Sequence, residues 1–243
     1  MNKSIHEIKI TARRQLSGTG VSSTALTLMV IGLPLLGYLL YKNYSLIIFG
    51  ILFAPIHLGV WIYFLRSVRT YKVPHKNNKN TDFTVITPWR MVYSTSNPNA
   101  LQTNASVMFL GFKYFFAAIK LFLLYLVKVV AWSCLLIIPG ILKIYSYRLC
   151  FIILADNPEI GAKKSLYLSE KMMTGHRLKL FLLDISFVGW IIFSIVTFLV
   201  GTVISFPYIM ATNAIFYEEL KHHCIENKII EESDIISKSS WDY

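Results

Sequence analysis

Cysteine is nearly absent from this chain. Cys134, Cys150 and Cys224 stand alone, two in apolar runs and one near the C-terminus. Neither a disulfide framework nor a CxxC site can be read from them. Acidic residues are scarce too: 13 Asp plus Glu face 24 Lys plus Arg among 243 residues. In a soluble protein that excess would suggest nucleic acid, but no helix-turn-helix, RNP-type strand or zinc-finger spacing accompanies it. There is no P-loop, HExxH, GxSxG or paired-carboxylate motif. His222, His223 and Cys224 have no second ligand pair at metal-binding spacing. No catalytic, cofactor-binding or metal-binding residue is therefore assigned, and nothing in the residues argues for an enzyme. A basic N-terminal region and an apolar core are followed by no small-residue cleavage site, so the core is expected to remain as an anchor.

Charge itself is missing from one long stretch. Leu180 to Tyr217 carries a single charged side chain, Asp184. At about 1.5 Å of rise per residue, that length covers a hydrocarbon layer of roughly 30 Å twice. With 55% hydrophobic and 15% charged residues overall, the composition is that of a membrane protein. The expected fold is all-α: a polytopic transmembrane helical bundle of about six membrane segments, with amphipathic interfacial helices. The membrane domain covers 1–219 and a charged cytosolic tail covers 220–243. Membrane segments are expected at about 24–41, 45–65, 114–138, 180–199 and 202–219, with 141–155 short or re-entrant. Basic residues gather at the N-terminus, in the loop 66–113, between Lys163 and Lys179, and in the tail. That is the positive-inside pattern, so both termini are expected in the cytosol, with anionic lipid head groups as partners.

Residues 3–17 have a narrow apolar stripe of Ile5, Ile8, Ala12 and Leu16 beside Lys3, Lys9, Arg13 and Arg14, which predicts a basic interfacial helix. Pro55 is expected to kink the second span. The connection 72–112 is polar and proline-punctuated, and Phe83 to Tyr93 is expected to touch the membrane surface. Asp156-Asn157-Pro158 is a stop and a start: Asn157 suits an N-cap, Pro158 a first helical position, and Gly175 a C-cap. The helix 158–174 between them is amphipathic, with an apolar side rich in small residues that permits close packing on another helix. The candidate polar residues at membrane depth are Lys120, Lys128, Asp184 and His57. Lys120 and Asp184 lie at similar depths from one face, which predicts that they pair. Lys128 is too deep to snorkel easily and predicts a bundle interior, a water-filled cavity or an anionic partner.

The run from Ile137 to Leu220 carries IPG at Ile138–Gly140, LADNP at Leu154–Pro158, KMMTGH at Lys171–His176, LFLLDISFVGW at Leu180–Trp190, Pro207-Tyr208, and FYEEL at Phe216–Leu220. In these words the chain resembles the bacterial integral membrane family called domain of unknown function 975. The residues that carry the resemblance include Asp156, Asn157, Pro158, Gly175, His176, Trp190, Pro207 and Glu218. The resemblance implies an all-helical multi-pass protein of the bacterial cytoplasmic membrane and supplies no catalytic residue. The expected function is a non-enzymatic accessory or transport-related component, with a membrane-protein partner or a second copy of the chain as candidate partner. Immunity to or export of a membrane-active peptide is one alternative, and a lipid-handling or scramblase-like activity another.

Overall fold

The computed structural model describes residues 4–13, 16, 23–28, 30, 45–69, 72–73, 83–87, 90–95, 105–135, 137–197 and 201–231. Its framework is helical. In chain order come α1 (Ser45–Arg69), α2 (Phe115–Leu135), α3 (Ile137–Tyr147), α4 (Cys150–Asp156), α5 (Ala162–Met173), α6 (Arg177–Ile185), α7 (Val188–Val196) and α8 (Thr202–Glu226). Residues 5–13 near the N-terminus are also helical. Ser4 and Glu7 start that helix reciprocally: the Ser4 N–H donates to the Glu7 carboxylate at 2.8 Å, and the Glu7 N–H donates to Ser4 Oγ at 3.2 Å. This is a capping box. The expected first span, 24–41, lies mostly outside the described residues.

The centre of the molecule is α4, every residue of which is buried. It packs on α1, whose Leu58, Tyr63, Phe64 and Leu65 are buried, and on α5. A turn of 3-10 helix, Ala105–Phe109, followed by the helical turn Leu110–Lys113, presses on α1 at two glycines. A Cβ on Gly59 would lie 1.9 Å from the Met108 carbonyl oxygen, and one on Gly111 would lie 2.1 Å from that of Pro55. Only glycine permits backbones this close.

Several elements differ from the sequence expectation. The connection 72–112 holds a three-stranded antiparallel sheet: β1 (Lys72–Val73), β2 (Phe83–Thr87) and β3 (Arg90–Thr95), in the order β1-β2-β3. The stretch expected at the membrane surface is thus a strand pair, with an irregularity between Val85 and Ile86. Its β-branched and aromatic residues, Phe83, Val85, Ile86, Val92 and Tyr93, favour a pleated backbone. The helix expected over 158–174 is split into a 3-10 turn, Pro158–Ile160, and α5, because Gly161 turns the chain at φ 78°. The segment 141–155 is broken at Arg148 and Leu149, where α3 ends and α4 begins. The segment 180–199 is broken at Ser186 and Phe187, between α6 and α7. The Ser186 carbonyl at that break accepts from Lys9 Nζ at 3.1 Å. The tail expected from residue 220 is still helix through Glu226, with Lys221 and Cys224 buried. The small-residue side of α5 packs on this chain's own α2, α3 and α4, so it is not a free face for a partner.

Candidate functional site

The C-terminal ends of α1 and α4 meet the middle of α8, and each brings charge into a buried place. Arg69 ends α1 in a last turn that is basic. Asp156 ends α4, where Asn157 stops the helix with an extended backbone and caps the next turn by accepting from the Glu159 N–H at 3.2 Å. On α8, Tyr217 and Lys221 are one turn apart and therefore share a face. Both bond one oxygen of Asp156: Tyr217 Oη donates to Oδ2 at 2.9 Å and Lys221 Nζ at 2.6 Å. Arg69 takes the other oxygen, donating to Asp156 Oδ1 at 2.8 Å, and also donates from Nε to Glu218 Oε1 at 2.7 Å. Asp156, Glu218 and Lys221 are 3%, 4% and 5% exposed.

Two cations and two carboxylates make this cluster neutral as a whole. Burial alone would raise the Asp156 carboxyl, but Arg69 and Lys221 outweigh it and hold the group well below the usual carboxylate range. Asp156 is therefore ionised at neutral pH, and its bonds tie three helices together. In the sequence Asp156 and Glu218 stand out through the family words, whereas Arg69 is one charge of the basic loop 66–113 and Lys221 belongs to the tail. A signal was present: Tyr217 and Lys221, spaced i and i+4 at the end of an apolar run, place a donor face there.

A second polar region lies further along the same helices. A cavity of about 290 Å³ is lined by residues of α1, α2, α3, α4 and α8, including His57, Trp61, Tyr125, Arg148 and Asn213. The His57 ring lies edge-on to Phe151, with centroids 4.7 Å apart, and to Trp61 at 6.0 Å. Arg148 sits at the break between α3 and α4, and its guanidinium is 4.0 Å from the Asp184 carboxylate. The expected pairing of Asp184 with Lys120 is thus corrected: Arg148 takes that place, and Lys120 is exposed on α2. The α3–α4 break projects Arg148 toward Asp184 of α6, whereas the Lys120 side chain stays exposed on α2.

Lys128 is exposed and lies over the Tyr147 ring at 5.4 Å. Its anionic neighbour is Glu170 of α5, which is held by Lys143 and by the Tyr147 hydroxyl at 3.2 Å. The remaining family-motif residues are spread out. Gly175 turns the chain at φ 83° after α5. The His176 ring meets His223 of α8 at 5.1 Å. Trp190 packs on Tyr208, next to the buried Pro207, at 5.5 Å. None of these four belongs to the ion cluster or to the lining of the cavity.

Residues 97–223 match the family described as protein of unknown function (DUF975). The match covers more than half of the chain and contains α2 to α7 and most of α8, but not α1 with Arg69 and His57. No curated protein and no solved structure matches the chain.

Proposed function

The chain belongs to the DUF975 family of proteins of unknown function, and from that premise we propose an integral protein of the bacterial cytoplasmic membrane. In this reading it has about six membrane segments and both termini in the cytosol. It works without catalysis, as an accessory or transport-related component whose interior polar residues hold a ligand.

One observation carries the membrane reading. Phe115–Cys134 and Arg177–Val196 are long and apolar enough to cross a membrane, yet only 11% and 22% of these windows are buried in the protein. A core helix of a soluble protein would be mostly covered. Exposed Leu123, Val127, Val130, Ile192, Ile195 and Val196 would cost about 25 cal/mol per Å² in water and nothing in lipid. The longer helices are consistent with it. α1 and α8 have 25 residues each, about 37 Å at helical rise, and α1 has no Asp, Glu, Lys or Arg before Arg66. Breaks suit membrane depth only where their polar groups are satisfied: Leu149 and Phe187 are buried, and the exposed Arg148 and Ser186 meet Asp184 and Lys9.

An alkaline carbonate wash of membranes from expressing cells tests the reading directly. The full chain is expected to stay in the pellet, and release into the supernatant would overturn it. Cysteines introduced at Lys76 and Lys228 are expected to be shielded from an impermeant maleimide in intact cells. Labelling of either from outside would overturn the topology.

A further inference from the structure

The cavity beside α1, α4 and α8 brings together a cation, Arg148, and hydrogen-bond donors on Trp61 and Asn213, with no carboxylate among the described residues of its lining. Trp61 is 5% exposed, and its indole N–H has no hydrogen-bond partner among the described residues. Asn213, also 5% exposed, brings a side-chain amide to the same wall. The Arg148 guanidinium on the same wall has Asp184, at 4.0 Å, as its ion-pair contact, too long for a hydrogen bond. Indole offers a donor only, and guanidinium offers five donors and no acceptor. The group that complements such a wall carries several acceptor oxygens and negative charge.

We infer that this cavity is a binding site for an oxyanion, a phosphate or carboxylate that takes its charge partner from Arg148 and its hydrogen bonds from Trp61 and Asn213. A volume of about 290 Å³ holds such a head group with a few carbons, not a whole lipid. Phe122, Ile209 and Met210 on the same wall offer the apolar contact that the carbons need. Asn213 lies five residues from Glu218, about 7.5 Å along α8, so the bound anion would sit between the ion cluster and the middle of the membrane. The inference rests on the membrane reading, which gives the cavity its depth.

The test uses the full chain purified in detergent, with retention of added probes read by native mass spectrometry. The probes are phosphatidylglycerol, diacylglycerol with the same chains, sn-glycerol 3-phosphate and inorganic phosphate. At least one phosphate-bearing probe is expected to bind, and diacylglycerol is not. Arg148→Leu is expected to abolish binding, and Trp61→Phe and Asn213→Leu to weaken it about tenfold each, as for lost hydrogen bonds to a charged group. Lys120→Met, which removes a charge from the exposed face of α2, is expected to leave binding unchanged. Displacement by glycerol 3-phosphate or inorganic phosphate assigns the site to a soluble phosphate. Binding of phosphatidylglycerol that neither displaces assigns it to a lipid, and either result supports the oxyanion site. Equal retention of diacylglycerol, equal loss in Lys120→Met, or full binding by Trp61→Phe and Asn213→Leu overturns it. If Arg148→Leu fails to fold, Trp61→Phe still decides, because it removes the N–H while keeping an aromatic ring. Protein retained in carbonate-washed membranes with no such binding sinks this inference alone, whereas release by the wash sinks the membrane reading.

Discussion

Arg69 is bound by two carboxylates that water hardly reaches, and that makes it costly to remove. Arg69→Met leaves Glu218 and part of Asp156 buried without a countercharge, a loss of about 3–5 kcal/mol for a broken buried pair. The expected outcome is a sharply lower thermal midpoint of the purified protein, partly recovered when Glu218→Gln is added, because the second change removes the orphaned charge. No recovery in the double variant would show that the two residues do not act together. The Arg148–Asp184 pair is different: it is long, and its side chains are 46% and 27% exposed. A double-mutant cycle there is expected to give a coupling of about 0–1 kcal/mol in stability. His176 contributes to the pH dependence beside His222, whose pKa burial also lowers. Burial lowers the pKa of His176, and the neighbouring His223 and Lys179 act in the same direction against a hydrogen bond to the Thr174 carbonyl. The native state therefore prefers the neutral ring. Its contribution is fully present above the ordinary histidine value of about 6.5 and is lost as pH falls through the lower folded value. The thermal midpoint is expected to fall between pH 7.5 and pH 5, and less steeply in His176→Gln.

Glycine geometry decides two of the element boundaries. At Gly161, φ 78° stops the 3-10 turn from running into α5 although nothing crowds a Cβ there. Gly161→Ala is expected to cost about 1–2 kcal/mol from the left-handed backbone alone, read as a shift in thermal midpoint with unchanged binding. At Gly59 the obstacle is backbone, so Gly59→Ala has to push the 105–109 turn off α1. That cost is expected to equal or exceed the 1–3 kcal/mol or so of an overpacked core. The sequence makes the helical framework legible because an apolar run has a length, and length alone sets Ser45–Arg69 and Phe115–Leu135 to within a few residues. Breaks inside runs were illegible. Arg148-Leu149 and Ser186-Phe187 contain no proline or glycine, and the packing that tolerates them is tertiary: Lys9 reaches Ser186 from 177 positions away. The ion cluster was half legible for the same reason. Asp156 and Glu218 stand out in their words, but that Arg69 completes them depends on how α1 and α4 cross. The strands β2 and β3 were hidden by polar, proline-rich surroundings.

At the scale of the whole molecule, the proposed orientation can be tested without any ligand. In the proposed topology α2 leaves the basic side near Lys113 and ends at Leu135, so the exposed Cys134 would lie at the far end of the crossing. Native Cys134 is therefore expected to react with an impermeant maleimide in intact cells, while the buried Cys150 and Cys224 react only after the protein is unfolded. Protection of Cys134 in intact cells would reverse the orientation. The N-terminal helix has its own place in this arrangement. Ile8 and Ala12 are buried, Lys9 lies over the Phe187 ring at 4.7 Å, and Arg13 over the Tyr208 ring at 5.7 Å. This helix thus takes its seat from the α6–α7 break and from α8, far along the chain. Its apolar stripe, Ile8 and Ala12, is buried only when it lies on α6 to α8. Its docking then becomes a closing step of assembly, and a bulky N-terminal fusion would be felt at the α6–α7 break rather than at the first span.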